Sequence, residues 1–165
     1  VFARGDHWFV TGDIVRSDGE GDLWYVDRTS HLIQGPHGWV SSRQIEDVLY
    51  GVSGVRMAVV YAVPRKALPE TLQDCGLPGT KEIVVATLVV AEGSGPAALA
   101  PGLTRVVAEL RPEQRPLFVR LRQGIERIEL TDGLRPLKSP LRSAGVEIDD
   151  PHTLRWDGER SEYRL

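Results

Sequence analysis

A single cysteine, Cys75, stands in this chain of 165 residues, so an intrachain disulfide is excluded. Packing and hydrogen bonds must therefore carry the fold, and a reducing cytoplasm suits it. Cys75 sits among loop residues with no base identified beside it and reads as an incidental thiol rather than a nucleophile. No uninterrupted apolar stretch approaches the roughly 20 residues that span a bilayer, and no secretory leader is visible; any membrane contact is expected to be peripheral. Positive charge is not in excess either. A net charge of -3 and a pI near 5.8 argue against a nonspecific nucleic-acid binder. The glycine-rich phosphate loop that ends in Gly-Lys-Ser/Thr is absent. His31, His37 and Cys75 meet no metal-ligand spacing, so no metal site is expected from them.

What remains is ordinary for a globular domain: 41% hydrophobic and 26% charged residues, in a length that can bury one core. The chain is organised around residues 8–46. Trp8, Phe9 and Val10 form a short apolar run, and Thr11-Gly12-Asp13 then places a carboxylate on a turn whose glycine permits close approach to a ligand. Residues 17–22, SDGEGD, carry hairpin chemistry, so a strand over 23–26 should return beside the first and bring Asp27-Arg28 near Asp13. A carboxylate and a guanidinium at adjoining strand ends suit a sugar diol; the plainer alternative is that Asp13 and Arg28 simply pair across the hairpin.

Beyond a glycine-rich crossing, Ser41 with Gln44 makes a capping box, Val40 and Ile45 can form a hydrophobic staple, and Ile45, Val48, Leu49 and Val52 give a helix one apolar face. Residues 55–63 and 83–91 are β-branched runs with little alternation, expected to be central strands covered on both faces. The Pro- and Gly-rich segment between them reads as a surface loop. A second helix is expected over about 98–110, then a strand over 116–122 with one wetter face. Arg111, Arg115, Arg120, Arg122 and Arg127 invite a basic-patch reading that could meet the phosphates of CoA, but Glu109, Glu113, Glu126 and Glu129 are interleaved, which favours a solvated mixed-charge face. Residues 128–146 hold a Thr131-Asp132-Gly133 turn, stiffened by Pro136 and Pro140, that displays Arg135, Lys138 and Arg142 on a loop without a strong helical pattern. The last segment, 147–165, forms a terminal hairpin or packs back onto the domain.

Taken in order, these motifs resemble the hinge and C-terminal domain of the adenylate-forming superfamily, in particular its long and very-long-chain acyl-CoA synthetase branch. The resemblance rests on VFARGDHWFVTGD, on DLWYVDRT and on the 128–146 segment, and covers residues 1 to about 146. It implies an α+β fold: a small mixed sheet flanked by helices and preceded by a hinge β-hairpin. The boundaries it implies are 1–28 for the end of an N-terminal domain and the hinge strands, 29–146 for the lid domain and 147–165 for a tail. It further implies that Thr11, Gly12, Asp13 and Arg28 bind the nucleotide, with the ribose on Asp13 and Arg28, and that Ser30, in place of the usual Asp or Lys, marks the hinge. The family's catalytic lysine falls on Arg135 when counted from Thr131; Lys138 lies three residues on, and either could stabilise the adenylation transition state. In the crossing, Gln34 and Gly35-Pro36-His37-Gly38 depart from the family's basic residue and glycine, on the thioester-forming face. The cofactors implied are ATP, Mg2+ and CoA, with Mg2+ held mainly by an N-terminal domain; the partners are that domain, a fatty acid, and CoA or an acyl-carrier protein. A chain starting mid-motif without Met reads as a C-terminal fragment, inactive alone. Transfer to a carrier protein, or a non-catalytic binding module of the same fold, are the alternatives.

Overall fold

Alternation and turn chemistry set the first element. In the computed structural model, which describes residues 10–73 and 78–165, β1 (Asp13–Ser17) and β2 (Leu23–Arg28) pair antiparallel with Asp13 opposite Arg28. Asp18 builds the turn by accepting the Glu20 and Asp22 amides, and its other oxygen takes the Trp24 indole N–H at 2.9 Å. Trp8, Phe9, Cys75 and the side chain of Arg127 lie outside the described residues. A short turn at Thr29–His31 leads into a second hairpin, β3 (Leu32–Gly35) and β4 (Gly38–Ser41). Next comes α1 (Ser42–Leu49), whose N-cap Ser41 accepts the Gln44 amide.

The core is a five-stranded mixed sheet in the order β5-β6-β7-β8-β9, comprising β5 (Val55–Pro64), β6 (Glu82–Val90), β7 (Phe118–Gln123), β8 (Thr153–Asp157) and β9 (Glu162–Arg164). All neighbours are antiparallel except β6 and β7, which run parallel because α2 (Pro96–Ala108) carries the chain across between them. Neighbouring residues of a strand point to opposite faces. Val60 accordingly joins the large cluster with Ile45 and Leu49 of α1 and Leu99, Leu103 and Val107 of α2, while Val59 packs with Val89 and Ile128 on the other side. There Leu141 of a third helix, α3 (Lys138–Ala144), completes the cover. The α+β architecture read from the sequence is the one the chain adopts.

Several local expectations change. The run at 55–63 is not at the heart of the sheet: β5 is its edge, and it reads as a central strand because helices cover both its faces. The loop between β5 and β6 is not purely superficial, since Leu68 and Leu72 are buried in the core. Residues 138–144 are helical after all. At seven residues α3 is too short to show periodicity, and Pro140 falls in its first turn, where its missing N–H breaks no intrahelical bond. Helix α2 starts at Pro96, earlier than periodicity suggests, because proline is preset for a first helical position.

The arginines at 115 and 120 leave the solvated face. Arg115 reaches back to the carbonyls of Leu110 and Ala108, satisfying the end of α2. Arg120 is buried, donating to Glu147 at 2.9 Å and, more weakly, to the Tyr61 hydroxyl. Arg122 stays on the rim and pairs with Glu147 and Asp150.

Residues 153–164 extend the sheet beside β7. Tyr163 anchors them: its ring meets Trp156 edge-on at 5.1 Å and its hydroxyl donates to the Pro116 carbonyl at 2.7 Å. Among the described residues, no helix is long and apolar enough to cross a membrane. Replacing Tyr163→Ala is expected to cost about 3 to 5 kcal/mol in urea unfolding, as for a fully buried aromatic. A loss under about 1 kcal/mol would mean that β8 and β9 are an appendage rather than part of the cooperative unit.

Candidate functional site

The site begins with a buried carboxylate. Asp27, at the end of β2, is 1% exposed and sits against the first turn of α1. One of its oxygens accepts the hydroxyls of Ser41 (2.7 Å) and Ser42 (3.1 Å) and the Arg43 amide (3.2 Å); the other accepts the Arg28 amide at 2.8 Å and faces the His31 ring at 3.6 Å. Burial alone would raise its pKa, but the contacts with His31, Ser41 and the amides of Arg43 and Arg28 outweigh that and hold the carboxyl well below the usual range. A charge placed at the start of a helix also meets the positive end of its dipole.

That anchor fixes the Thr11-Gly12-Asp13 turn beside Arg28. Gly12, at φ 77°, turns its carbonyl to the Thr29 amide (2.8 Å) and hydroxyl (3.0 Å). Arg28 Nε donates to Asp13 Oδ1 at 3.0 Å, and both side chains remain substantially exposed. This is the ion pair of the plainer reading, a rim pair whose outer faces stay open. Ser30 lies in the short turn that follows, and its carbonyl is approached by Arg142 at 3.4 Å.

From the other side comes the segment before α3. The Thr131 amide donates to the Arg135 carbonyl (2.8 Å) and the Thr131 hydroxyl accepts the Arg135 amide (3.1 Å), closing a turn in which Leu134 takes φ 57°. A leucine in that left-handed region is strained, and such strain collects at positions whose geometry is imposed by the surroundings. Arg135 is exposed and has no ion pair among the described residues. Lys138 is the opposite case. Its ammonium lies 2.7 Å from Glu46 and 2.6 Å from the Ser42 hydroxyl, and its side chain is 10% exposed. Glu46 accepts the Val60 amide with the same oxygen, so Lys138 stitches α3 to α1 and β5.

These pieces line one cleft of about 630 Å3, which brings together Asp13, Arg28, Ser30, Arg135 and Lys138. Thr11 and Gly12 contribute backbone behind Arg28 rather than lining it. The sequence reading named Asp27 only as the neighbour of Arg28 and assigned no role to it or to Ser42, Arg43 or Glu46. Asp27 did carry a signal, since a carboxylate before Arg28 faces a Ser-Ser helix start, but that start lies far enough along the chain to be invisible to local pattern. Such a cleft can hold a polar ligand that pairs hydroxyls with Asp13 and an anion with Arg135.

No family model matches the chain. It is 26% identical over 167 residues to the very long-chain fatty acid transport protein of Saccharomyces cerevisiae, covering 100% of this chain and 24% of that protein. It is 41% identical over 59 residues to a long-chain-fatty-acid–CoA ligase of Thermus thermophilus, covering 36% of this chain and 11% of the ligase. Among solved structures, a variant of the amide bond synthetase McbA from Marinactinospora thermotolerans superposes with a TM-score of 0.65 at 29% identity, over 88% of this chain and 26% of the synthetase. Its homologues are acyl-CoA and AMP-forming ligases. The chain spans between 10% and 24% of the first curated relatives it matches. Arg135 is exposed, whereas Lys138, three residues on, is engaged by Glu46 and Ser42.

Asp27→Asn is expected to lower stability by about 2 to 4 kcal/mol at neutral pH, because the buried donors lose their charged acceptor. The folded-state pKa of Asp27 lies below its ordinary value of 3.8, so its contribution is complete above that value and fades as pH falls beneath it. Urea-unfolding free energies of wild type and variant should therefore converge on acidification below about pH 4. A constant gap down to about pH 2 would contradict the assignment.

Proposed function

We propose that this chain serves as the C-terminal lid of an ATP-dependent ligase that activates a fatty acid as its acyl-adenylate, with release of pyrophosphate, and passes the acyl group to CoA. The observation that carries this reading is the convergence of Asp13, Arg28, Ser30 and Arg135 on one cleft. Asp13 and Arg28 hold the ribose, with Thr11 and Gly12 shaping the turn behind them. Arg135 stabilises negative charge as the carboxylate attacks the α-phosphate. Between the two candidates for that role, Arg135 is favoured: Lys138 is held by Glu46 and Ser42, whereas the Arg135 guanidinium is free to meet oxyanions.

The lid turns about Ser30 between adenylation and thioester formation, with residues 1–28 belonging to the N-terminal body, 29–146 to the lid and 147–165 to a C-terminal segment whose β8 and β9 complete the lid's sheet. Asp13, Asp27 and Glu46, the carboxylates lining the cleft, already have partners, and no metal-binding cluster occurs among the described residues. Mg2+ accompanying ATP is assigned, in this reading, to residues of the N-terminal body. The protein works in the cytoplasm, with at most peripheral membrane contact. A second reading, delivery of the acyl group to a carrier protein, draws on Pro36 and His37 at the tip between β3 and β4, where the resemblance to CoA-using relatives breaks.

The test is to fuse this chain to the N-terminal body of a long-chain acyl-CoA ligase and follow fatty-acid-dependent ATP–pyrophosphate exchange, then thioester formation with CoA and with acyl-carrier protein. Exchange is expected, and Arg135→Ala should lower it by about 100- to 1000-fold, as for loss of one preorganised donor. Lys138→Met should instead lower the melting temperature by several degrees, since one partner of a buried ion pair is lost. A folded fusion without exchange, or an Arg135→Ala variant as active as its parent, would overturn the proposal.

A further inference from the structure

The charge pattern of the cleft singles out a residue with no assigned role. Five basic side chains line it, Arg28, Arg43, Arg135, Lys138 and Arg142, against three carboxylates. Arg28 pairs with Asp13, Lys138 with Glu46 and Arg142 with Glu82. Asp27 is satisfied by hydroxyls, backbone amides and His31, and neutralises no guanidinium. Arg43 and Arg135 are thus the two cleft arginines without a carboxylate partner among the described residues.

Arg43 is nevertheless held in place. Its amide is bound by Asp27, and its guanidinium lies over the Tyr25 ring, 5.4 Å from the centroid. A ring face steadies a cation without occupying its N–H groups in the way a carboxylate does. The side chain is therefore positioned while its hydrogen-bonding fork stays open, in the first turn of α1, where the helix dipole also favours an anion. Arg43 and Arg135 come from separate elements, α1 and the turn ahead of α3. One carboxylate fills one fork. Two forks on separate elements of one cleft call for more than one oxyanion in the same ligand, which a polyphosphate supplies.

We propose that Arg43 is a second phosphate-holding residue of the cleft, gripping the phosphate chain of a nucleotide together with Arg135 while the sugar rests at Asp13 and Arg28. This rests on the ligase reading of the cleft and adds to it a residue outside the resemblance that motivated that reading. Arg43 binds and positions; it transfers no proton.

The test compares adenosine with ATP as ligands of the purified 165-residue chain, by NMR titration at low ionic strength, for wild type, Arg43→Ala, Arg43→Lys and Arg135→Ala. Wild type is expected to bind ATP more tightly than adenosine. Arg43→Ala should weaken ATP by about tenfold while leaving adenosine unchanged, and Arg43→Lys should recover part of the loss. A role confined to packing on Tyr25 would shift both ligands alike, or the melting temperature alone, and would overturn the proposal. If Arg135→Ala weakens ATP and Arg43→Ala does not, Arg43 has no such role and the ligase reading stands. If wild type binds ATP no better than adenosine, or binds neither, both fall.

Discussion

Everything in the cleft depends on one carboxylate at the mouth of one helix. Asp27 terminates β2 and is received by Ser41, Ser42 and the Arg43 amide at the start of α1. The two-stranded β1–β2 sheet and the five-stranded sheet share no backbone ladder, and this contact ties the end of the first hairpin to α1. Charged hydrogen bonds are the stronger kind, and inside a protein they weaken little with salt. Asp13 and Arg28 are exposed; Asp27 gives them a fixed base.

A second constraint runs through Lys138. Its ion pair with Glu46, which also accepts the Val60 amide, pins the first residue of α3 against α1 and β5. An ammonium so enclosed is expensive to pull out, because Glu46 would be left without its counter-charge. The outcome is a division of labour between two of the three basic residues of the 128–146 segment, Arg135 and Lys138. Lys138 sets where α3 begins, and the turn that closes on Thr131 then presents Arg135 to the cleft. Arginine in this position carries a permanent charge and a planar fork, so it can clamp oxyanions but cannot act as the compact point charge a lysine would be. The strained Leu134 just before it suggests that the direction of Arg135 is imposed by the turn.

Much of the architecture was legible because it is written in short-range pattern. The SDGEGD turn, the Ser41 cap and the two β-branched runs each appear where local chemistry placed them. The edge position of β5 was not legible, since a strand covered by helices on both faces has the same composition wherever it lies in the sheet. Arg120 was misread for a related reason: its burial depends on Glu147 and Tyr61, which are distant in sequence, and a strand pattern with alternate arginines looks wet until those partners are placed. Within the site, Asp13 and Arg28 stood out because they flank recognisable turns, and Arg135 and Lys138 because their segment resembles the family's lysine motif. Asp27, Glu46 and Arg43 could not, because what they do is set largely by partners 14 or more residues away along the chain, as between Asp27 and Ser41 or Glu46 and Val60.

The account comes down to whether the cleft between the β1–β2 hairpin and the turn ahead of α3 receives an adenylate. The most direct measurement is backbone-amide NMR of the chain titrated with a non-hydrolysable acyl-adenosine phosphate mimic. The account predicts that the amides of Asp13, Arg28, Thr29 and residues 131–135 shift together, saturating with one affinity, while those of β8 and β9 stay fixed. Shifts scattered over the outer strands, or none in the Thr131 turn at saturation, would contradict it.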